Sequence, residues 1–533
     1  MKTKLWRRLT ALLCTTVMAA SLLAGCGSSG ESKGTGGTDK GSTSAENPTE
    51  AQNENPSANA SDEEPYEVVM TYLTAGTEPT DLRKVEAALS ELALEKVNCT
   101  VKFKPVAIQD LSAQYNLWAS SGEKVDLMVM FLMNIGTYVD EGKILCLEDY
   151  KANAPKIMTL SEELPFLTGG YYNNQLYAIP VVNPSTGQGK AMYARKDLLE
   201  AAGYEAKDLY TYEELDQIFG AIHEQNPDMV VIGWTGVRNQ TYGTYFIPCD
   251  TLGVPEAYAG VLMDINSEKP EVVNFFASDE YKTYLQWMQK WQQAGYFSKD
   301  ASTTSDQAAD WIKAGRCVGF VVGDDTPGNV ENQKASSGYD MVQLNIKETF
   351  VTTETYNQLR WCIGANSERP DKAMEFLNML YDGEEAINLV MNGIEGEHYI
   401  KHEGSKIISY PEGIDGTNTT YNNFLGVYGD KRNLYMFEPN EDSFYDRSAE
   451  YTANAVKHPS VALGYCFSVD SCANEVAAIT SVLNKYMTSL EYGMVTDFES
   501  SYNEFLKALD QAGIEKVIKE NQKQLDAWLA AQK

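Results

Sequence analysis

Between Tyr66 and Phe131, strand signals and helix signals alternate, and this alternation narrows the chain's options more than any other feature. Tyr66-Glu-Val-Val-Met-Thr-Tyr-Leu73 reads as a strand, and Leu82, Val85, Leu89 and Leu92 follow at helical spacing behind a Thr80 cap. Thr100–Val106 reads as a second strand. A helical stretch with Leu111, Tyr115 and Trp118 then leads to the apolar run Val125–Phe131. Strands joined through helices in this way lie parallel in one sheet, so the expected fold class is α/β. In open sheets of this kind, ligands bind beyond the carboxyl ends of the strands. The residues after Leu73 and after Phe131 are therefore the first candidates for a site.

From about residue 190 to 320 the pattern is mainly helical, over Lys196–Ala202, Thr211–Gln225, Ser278–Ala294 and Gln307–Lys313. Arg316–Gly323 reads as a short buried strand ending at Gly323-Asp324-Asp325. Arg360–Gly364 and a helix from Pro370 to about Leu380 mark a return to an α/β pattern, and the C-terminus is helical through Leu525, Trp528 and Leu529. There is no internal repeat. The part of the chain from residue 65 onward exceeds the roughly 250–300 residues at which single cores stop growing, so two or more lobes are expected.

The N-terminus carries Lys2, Lys4, Arg7 and Arg8, then a mostly apolar run from Leu9 to Leu23, then small residues, the layout of a signal peptide over 1–25. The run falls short of the about 20 apolar residues of a membrane-crossing helix. Leu23-Ala24-Gly25-Cys26 resembles the lipobox of bacterial lipoproteins, which implies a diacylglyceryl Cys26 as the mature N-terminus and stable anchoring by its acyl chains. Residues 27–64 hold no aromatic residue and no aliphatic larger than Ala, so they cannot bury enough apolar surface to order themselves. The segment 26–64 reads as a tether with a mean reach of roughly 30 to 35 Å.

A formal charge of −32 excludes nucleic acid as a partner, because phosphate binding needs clustered Lys and Arg. Seven cysteines follow Cys26 without CxxC spacing, which supports neither a disulfide scaffold nor a zinc site. Cys466 and Cys472 are the one pair close enough in sequence to suggest a bridge. The chain has no GxSxG, HExxH, GxxxxGK[ST] or strand-linked GxGxxG motif. His398 and His402 have i,i+4 spacing, but Gly404 and Ser405 follow without a helical pattern. No metal or cofactor is expected, and the absence of catalytic motifs favours binding over chemistry, although paired carboxylates stay open among 75 acids.

Aromatics make up 11% of the chain, and several stand in polar, Gly-containing stretches: Gly169–Asn174, Gly233-Trp-Thr-Gly236, Tyr242-Gly-Thr-Tyr245 and Arg360-Trp361. Flat rings beside amides, hydroxyls and a guanidinium suit a sugar, whose CH-rich face stacks while its hydroxyls need directed hydrogen bonds. Each ring taken alone fits ordinary packing as well.

Ser121–Asp126 before a hydrophobic strand, Tyr171–Pro180 and Met192-Tyr-Ala-Arg-Lys-Asp-Leu-Leu-Glu-Ala-Ala-Gly203 resemble the extracellular solute-binding proteins of carbohydrate ABC importers. Asn366–Met374 and Asn392-Gly-Ile-Glu-Gly-Glu-His-Tyr399 are similar to one lipoprotein branch of that family. The resemblance runs from about residue 66 to the C-terminus. It implies a two-lobed, periplasmic-binding-protein-like α/β fold with hinge segments and a helical C-terminus. The ligand would lie between the lobes, and the closed form would be what an ABC permease recognises. The lobes are expected over 65–180 plus 320–400, and over 190–315 plus part of 400–533. Tyr177–Pro180 leads into the first crossing, Lys196–Ala202 begins the second lobe, and the chain returns near 317–330. Within that picture the expected contacts are Tyr171, Tyr172, Trp234, Asp324 or Asp325, Arg360, Trp361 and Glu395, while Asp126 is structural. The resemblance thus implies a non-enzymatic receptor for a carbohydrate, an oligosaccharide, that partners ABC permease subunits and is held on the outer face of the membrane by lipid. A surface-anchored glycan hydrolase and a peptide-binding receptor of the same fold are the alternatives.

Overall fold

The computed structural model describes residues 63–533 apart from 234–240, 255–256, 300, 302–307, 323–324, 424 and 533. The expected signal peptide, Cys26 and the expected tether up to residue 62 lie outside the described residues, as do Trp234 and Asp324.

The fold is two-lobed α/β, and each lobe is built on its own sheet. In the first sheet the strand order is Cys99–Ala107, Tyr66–Thr74, Leu127–Phe131, Leu359–Ile363, Ile179–Pro180. The first three strands run parallel, joined through the helices Leu82–Val97 and Leu111–Ser121, as the alternation predicts. Leu359–Ile363 enters antiparallel to both of its neighbours. The first helix is not capped by Thr80: Asp81 holds the N-cap position, and its carboxylate instead accepts from Thr420 Oγ1 at 2.6 Å. Asp126 is fully buried beneath this sheet. It accepts from Tyr66 Oη at 2.7 Å, Ser367 Oγ at 2.6 Å and the Val69 amide at 2.8 Å, so one carboxylate fixes two strands and the loop that follows the fourth. Burial, reinforced by that carboxylate, pushes the Tyr66 phenol well above its ordinary range.

The second sheet has the order Met341–Lys347, Lys190–Arg195, Cys317–Val322, Val230–Gly233. Only its last pair is parallel. The second lobe therefore begins at Lys190, before the helix Lys196–Ala201, and the expected return near 317–330 is corrected. Cys317–Val322 is an interior strand of this sheet, paired with Lys190–Arg195 and with Val230–Gly233, and a Cβ on Gly319 would stand 2.4 Å from the Tyr193 carbonyl oxygen. The helix Tyr212–Gln225 starts in a capping box formed by Thr211 and Glu214 and packs Leu215, Ile218, Phe219 and Ile222 into the lobe.

The chain passes between the lobes three times. Residues 183–189 lead from the first core to the second, 348–358 return, and 456–461 cross again. Residues 421–455 accordingly pack mainly with the first core, and the stretch 462–525, with the helices Ala473–Glu491, Phe498–Ala512 and Ile514–Ala531, completes the second. The buried Glu491 carboxylate accepts from Tyr281 Oη at 3.0 Å and the Tyr242 amide at 2.9 Å, and Asn521 Nδ2 donates to the Ala259 carbonyl at 2.7 Å. These three bonds fasten the C-terminal helices to the rest of the lobe. Cys466 and Cys472 are both free thiols, so the expected bridge is absent. Cys466 lies against the Gly253 carbonyl and Cys472 against that of Val469.

Replacing Asp126 with Ala strands three partly buried donors at about 1 kcal/mol each, so unfolding in urea should show a loss of roughly 2–3 kcal/mol. A loss below about 1 kcal/mol would mean that Asp126 does not hold the sheet.

Candidate functional site

Between the two cores lies a cleft of about 810 Å³, within the range of about 300–1,000 Å³ usual for ligand pockets. Its first wall is built at the carboxyl end of Leu127–Phe131. Leu132, the next residue, has φ +54°, is 59% exposed and donates its amide to the Gln358 carbonyl at 2.7 Å. A branched side chain held in the left-handed region costs of order 1–3 kcal/mol, and it places an apolar group in the opening of the cleft. Met391, Lys431, Leu434, Met436, Asn440 and Phe444 extend this wall.

The floor is the first crossing, Asn183-Pro-Ser-Thr-Gly-Gln188, a polar run that lies beside Thr355 and Gln358 of the second. The crossings pack tightly. A Cβ on Gly187 would stand 2.4 Å from Thr349 Cγ2, and one on Gly189 would stand 2.0 Å from Asp325 Oδ2. Val351 donates to the His458 carbonyl at 3.2 Å and accepts from the Ser460 amide at 2.9 Å, which ties the second crossing to the third.

The second wall carries the charge. Lys190 opens one strand of the second sheet and Lys347 closes its neighbour. Lys347 is 4% exposed and donates to the Thr244 carbonyl at 2.8 Å. Burial, with nearby Lys190 adding to it, pushes its ammonium down to about 8. Lys190 Nζ stands 5.3 Å from the centre of the Tyr245 ring. Glu354, on the short helix Thr353–Asn357, accepts from Thr251 Oγ1 at 2.7 Å. Burial pushes its carboxyl above the ordinary range, opposed by Thr251 and the two lysines. Thr326, Asn329 and Asn332 add amides and a hydroxyl.

Most of the residues expected from the sequence stand elsewhere. Tyr171 and Tyr172 form one arm of a hairpin whose turn, Asn173-Asn174, has φ +49° and +59°, and Tyr172 Oη donates to Asp140 at 2.8 Å on the first lobe. Arg360 and Trp361 lie in the interior of the first sheet, 3% and 0% exposed. Arg360 donates to the Gly169 carbonyl at 2.9 Å and to that of Met133, and Trp361 Nε1 donates to the Val427 carbonyl at 2.6 Å. Neither reaches the cleft, because their strand is paired on both sides. Glu395 is exposed on the Gly393–Gly396 turn and does not line the cleft. Asp325 comes nearest: its carboxylate accepts from Tyr451 Oη and from Thr349 Oγ1 at 3.1 Å, immediately behind the floor. Tyr242, Tyr421 and Tyr435 are buried, and Tyr245 lines the cleft. The sequence reading missed Lys190, Lys347, Glu354 and Leu132. The polar run 183–189 between two strand patterns ends at Lys190, while Lys347, Glu354 and Leu132 are brought to it by contacts far apart in sequence.

Asp81, Glu397 and His398 bring one ligand atom each within 4.8 Å of one another, away from the cleft. His398 Nδ1 accepts from the Ile394 amide at 2.8 Å, which leaves Nε2–H to face Asp81 at 3.2 Å, and Lys84 pairs with Glu397. These bonds already use the group as a clasp between the first helix and the loop at 393–399.

Residues 88–394 match the family described as bacterial extracellular solute-binding protein, and residues 461–530 match a domain of unknown function (DUF3502). A carbohydrate ABC transporter substrate-binding protein of Streptococcus pneumoniae serotype 4 is 26% identical over 99% of this chain and 100% of its own. The crystal structure of the N-glycan transport solute binding protein NgtS from Streptococcus pneumoniae is similar at a TM-score of 0.73 and 24% identity, over 88% of this chain and 100% of that one. An HMO binding, ABC-transporter associated solute binding protein from Bifidobacterium longum infantis is similar at a TM-score of 0.61 and 15% identity, over 88% and 100%.

Between pH 8 and the ordinary lysine value of 10.5, the unfolded chain holds the Lys347 proton that the folded chain has released. Stability should therefore rise with pH across that window, by roughly 3 kcal/mol at 1.36 kcal/mol per unit. The difference in urea stability between the native chain and Lys347→Met, followed from pH 7 to 10.5, checks this. A flat difference would mean that Lys347 titrates normally.

Proposed function

This chain belongs to the bacterial extracellular solute-binding proteins, and we propose that it captures an oligosaccharide in the interlobe cleft and delivers it to an ABC permease. The observation that carries this reading is the lining of the cleft. Amides and hydroxyls of Asn183, Ser185, Thr186, Gln188, Asn329, Asn332 and Asn440 share the lining with apolar groups, Leu132 and Tyr245 among them. Sugar rings need that combination, since their hydroxyls demand directed partners while their CH faces seek a nonpolar surface. The end-to-end likeness to a carbohydrate transporter's binding protein, and the glycan-binding structural neighbours, support it.

Capture is favoured over cleavage. Glycoside hydrolysis commonly takes two facing carboxylates, and among the described residues lining the cleft Glu354 is the one carboxylate. The crossings supply the motion: a ligand that touches both walls stabilises the closed arrangement by its differential affinity for it. Lipid on Cys26 would keep the receptor near the permease, with residues 27–64 as the leash.

A thermal-shift screen of the purified chain against oligosaccharides and peptides tests the reading. A binder at a hundredfold excess over its Kd stabilises the folded state by about 2.7 kcal/mol. Oligosaccharides should raise the melting temperature and peptides should not; the reverse pattern removes the sugar assignment. Leu132→Gly relieves the left-handed backbone and deletes the apolar face, so its melting temperature should hold or rise while oligosaccharide affinity falls about tenfold. Unchanged affinity would place the sugar away from Leu132.

A further inference from the structure

The strands Lys190–Arg195 and Met341–Lys347 run antiparallel, and their register sets Lys190 directly across from Lys347. Like charges facing one another across two strands destabilise the pair. The ladder is irregular at this point, with a shift between Asn345 and Lys347. An irregularity of this kind re-aims the side chain beside it. Both lysines line the cleft. An ammonium carries three donors, and at Lys347 one of them goes to the Thr244 carbonyl. Glu354 on the same wall and Asp325 behind the floor both favour the Lys347 ammonium, but burial and Lys190 outweigh them. Lys431 adds a third cation from the opposite wall. In a chain of formal charge −32, the described charged residues lining the cleft are thus three lysines and one glutamate, the reverse of the molecule as a whole.

We propose that Lys190 and Lys347 form an anion seat, and that the cleft takes an acidic oligosaccharide, one bearing a carboxylate or a sulfate ester on a sugar ring. The proposal rests on the carbohydrate reading above and narrows it. An anion between the two ammonium groups relieves their mutual repulsion, so seating it adds stability that a neutral sugar cannot supply. Charge-assisted hydrogen bonds in a partly dry site are about twice as strong as neutral ones. The lowered affinity of Lys347 for its proton follows from its burial and, after that, from Lys190 beside it, and a bound anion would reverse it. Leu132 and Tyr245 remain available for the neutral rings of the same ligand, which explains why one cleft carries both kinds of group.

Isothermal titration of the purified full chain with a panel of oligosaccharides, each in neutral, uronate and sulfated form, tests the seat. The anionic form should bind at least about tenfold more tightly than its neutral counterpart, and the advantage should shrink as salt is raised. Preference for the uronate alone assigns the seat to carboxylates, and preference for the sulfated form alone assigns it to sulfate esters. Lys190→Gln, a change at a partly exposed strand end, should remove most of the anionic advantage, and Lys347→Met should do the same. Neutral forms that bind as tightly as anionic ones would overturn the seat and leave the carbohydrate reading standing. Failure of every form to bind would overturn both.

Discussion

The packing of three chain crossings against one another is the constraint on which the cleft depends. Gly187 and Gly189 leave no room for a Cβ against Thr349 and Asp325, and Val351 exchanges backbone hydrogen bonds with His458 and Ser460. Each lobe has its own sheet and its own core, so relative motion disturbs neither interior. What it changes is the geometry where the crossings meet, and the floor of the cleft is made of those same segments. Hinge and binding site are therefore one structure, which couples occupancy to closure without a separate relay.

The remaining elements serve to fix the two walls. Asp126 and Arg360 both sit inside the first lobe and pin loops behind the cleft, Asp126 through Tyr66, Ser367 and Val69, and Arg360 through the carbonyls of Gly169 and Met133. On the second wall the strain is electrostatic. Two lysines face each other at a strand end, and one of them is nearly sealed from water. On the first wall it is conformational, at Leu132. Both are arrangements that folding alone disfavours, and both stand in the cleft. The C-terminal helices, matched as a domain of unknown function, complete the second core through Glu491 and Asn521.

Much of the architecture was legible in the sequence because it is local. The strand and helix alternation from Tyr66 to Phe131 predicted the parallel start of the first sheet, and the helical pattern over Thr211–Gln225 matches the helix Tyr212–Gln225. The return crossing was misplaced because a buried strand pattern such as Cys317–Val322 does not say which sheet it joins. That choice rests on pairing with Lys190–Arg195 and Val230–Gly233, strands far away in sequence. The cleft was less legible for the same reason. Aromatic and charged residues in polar stretches looked exposed, yet Arg360 and Trp361 fill the middle of a sheet, and Tyr171 and Tyr172 shape a hairpin on one lobe. Lys190 and Lys347 meet only through strand pairing and an irregular register, which no spacing along the chain reveals. Trp234 and Asp324 lie outside the described residues.

The central claim is that ligand is held by both walls and the crossings together. Hydrogen–deuterium exchange with and without a bound oligosaccharide measures this segment by segment. The account predicts simultaneous protection of 183–190, 244–251, 347–358 and 431–444, which spans both lobes and the floor. Protection confined to one lobe, or centred on the Tyr171-Tyr172 hairpin or the Glu395 turn, would contradict it.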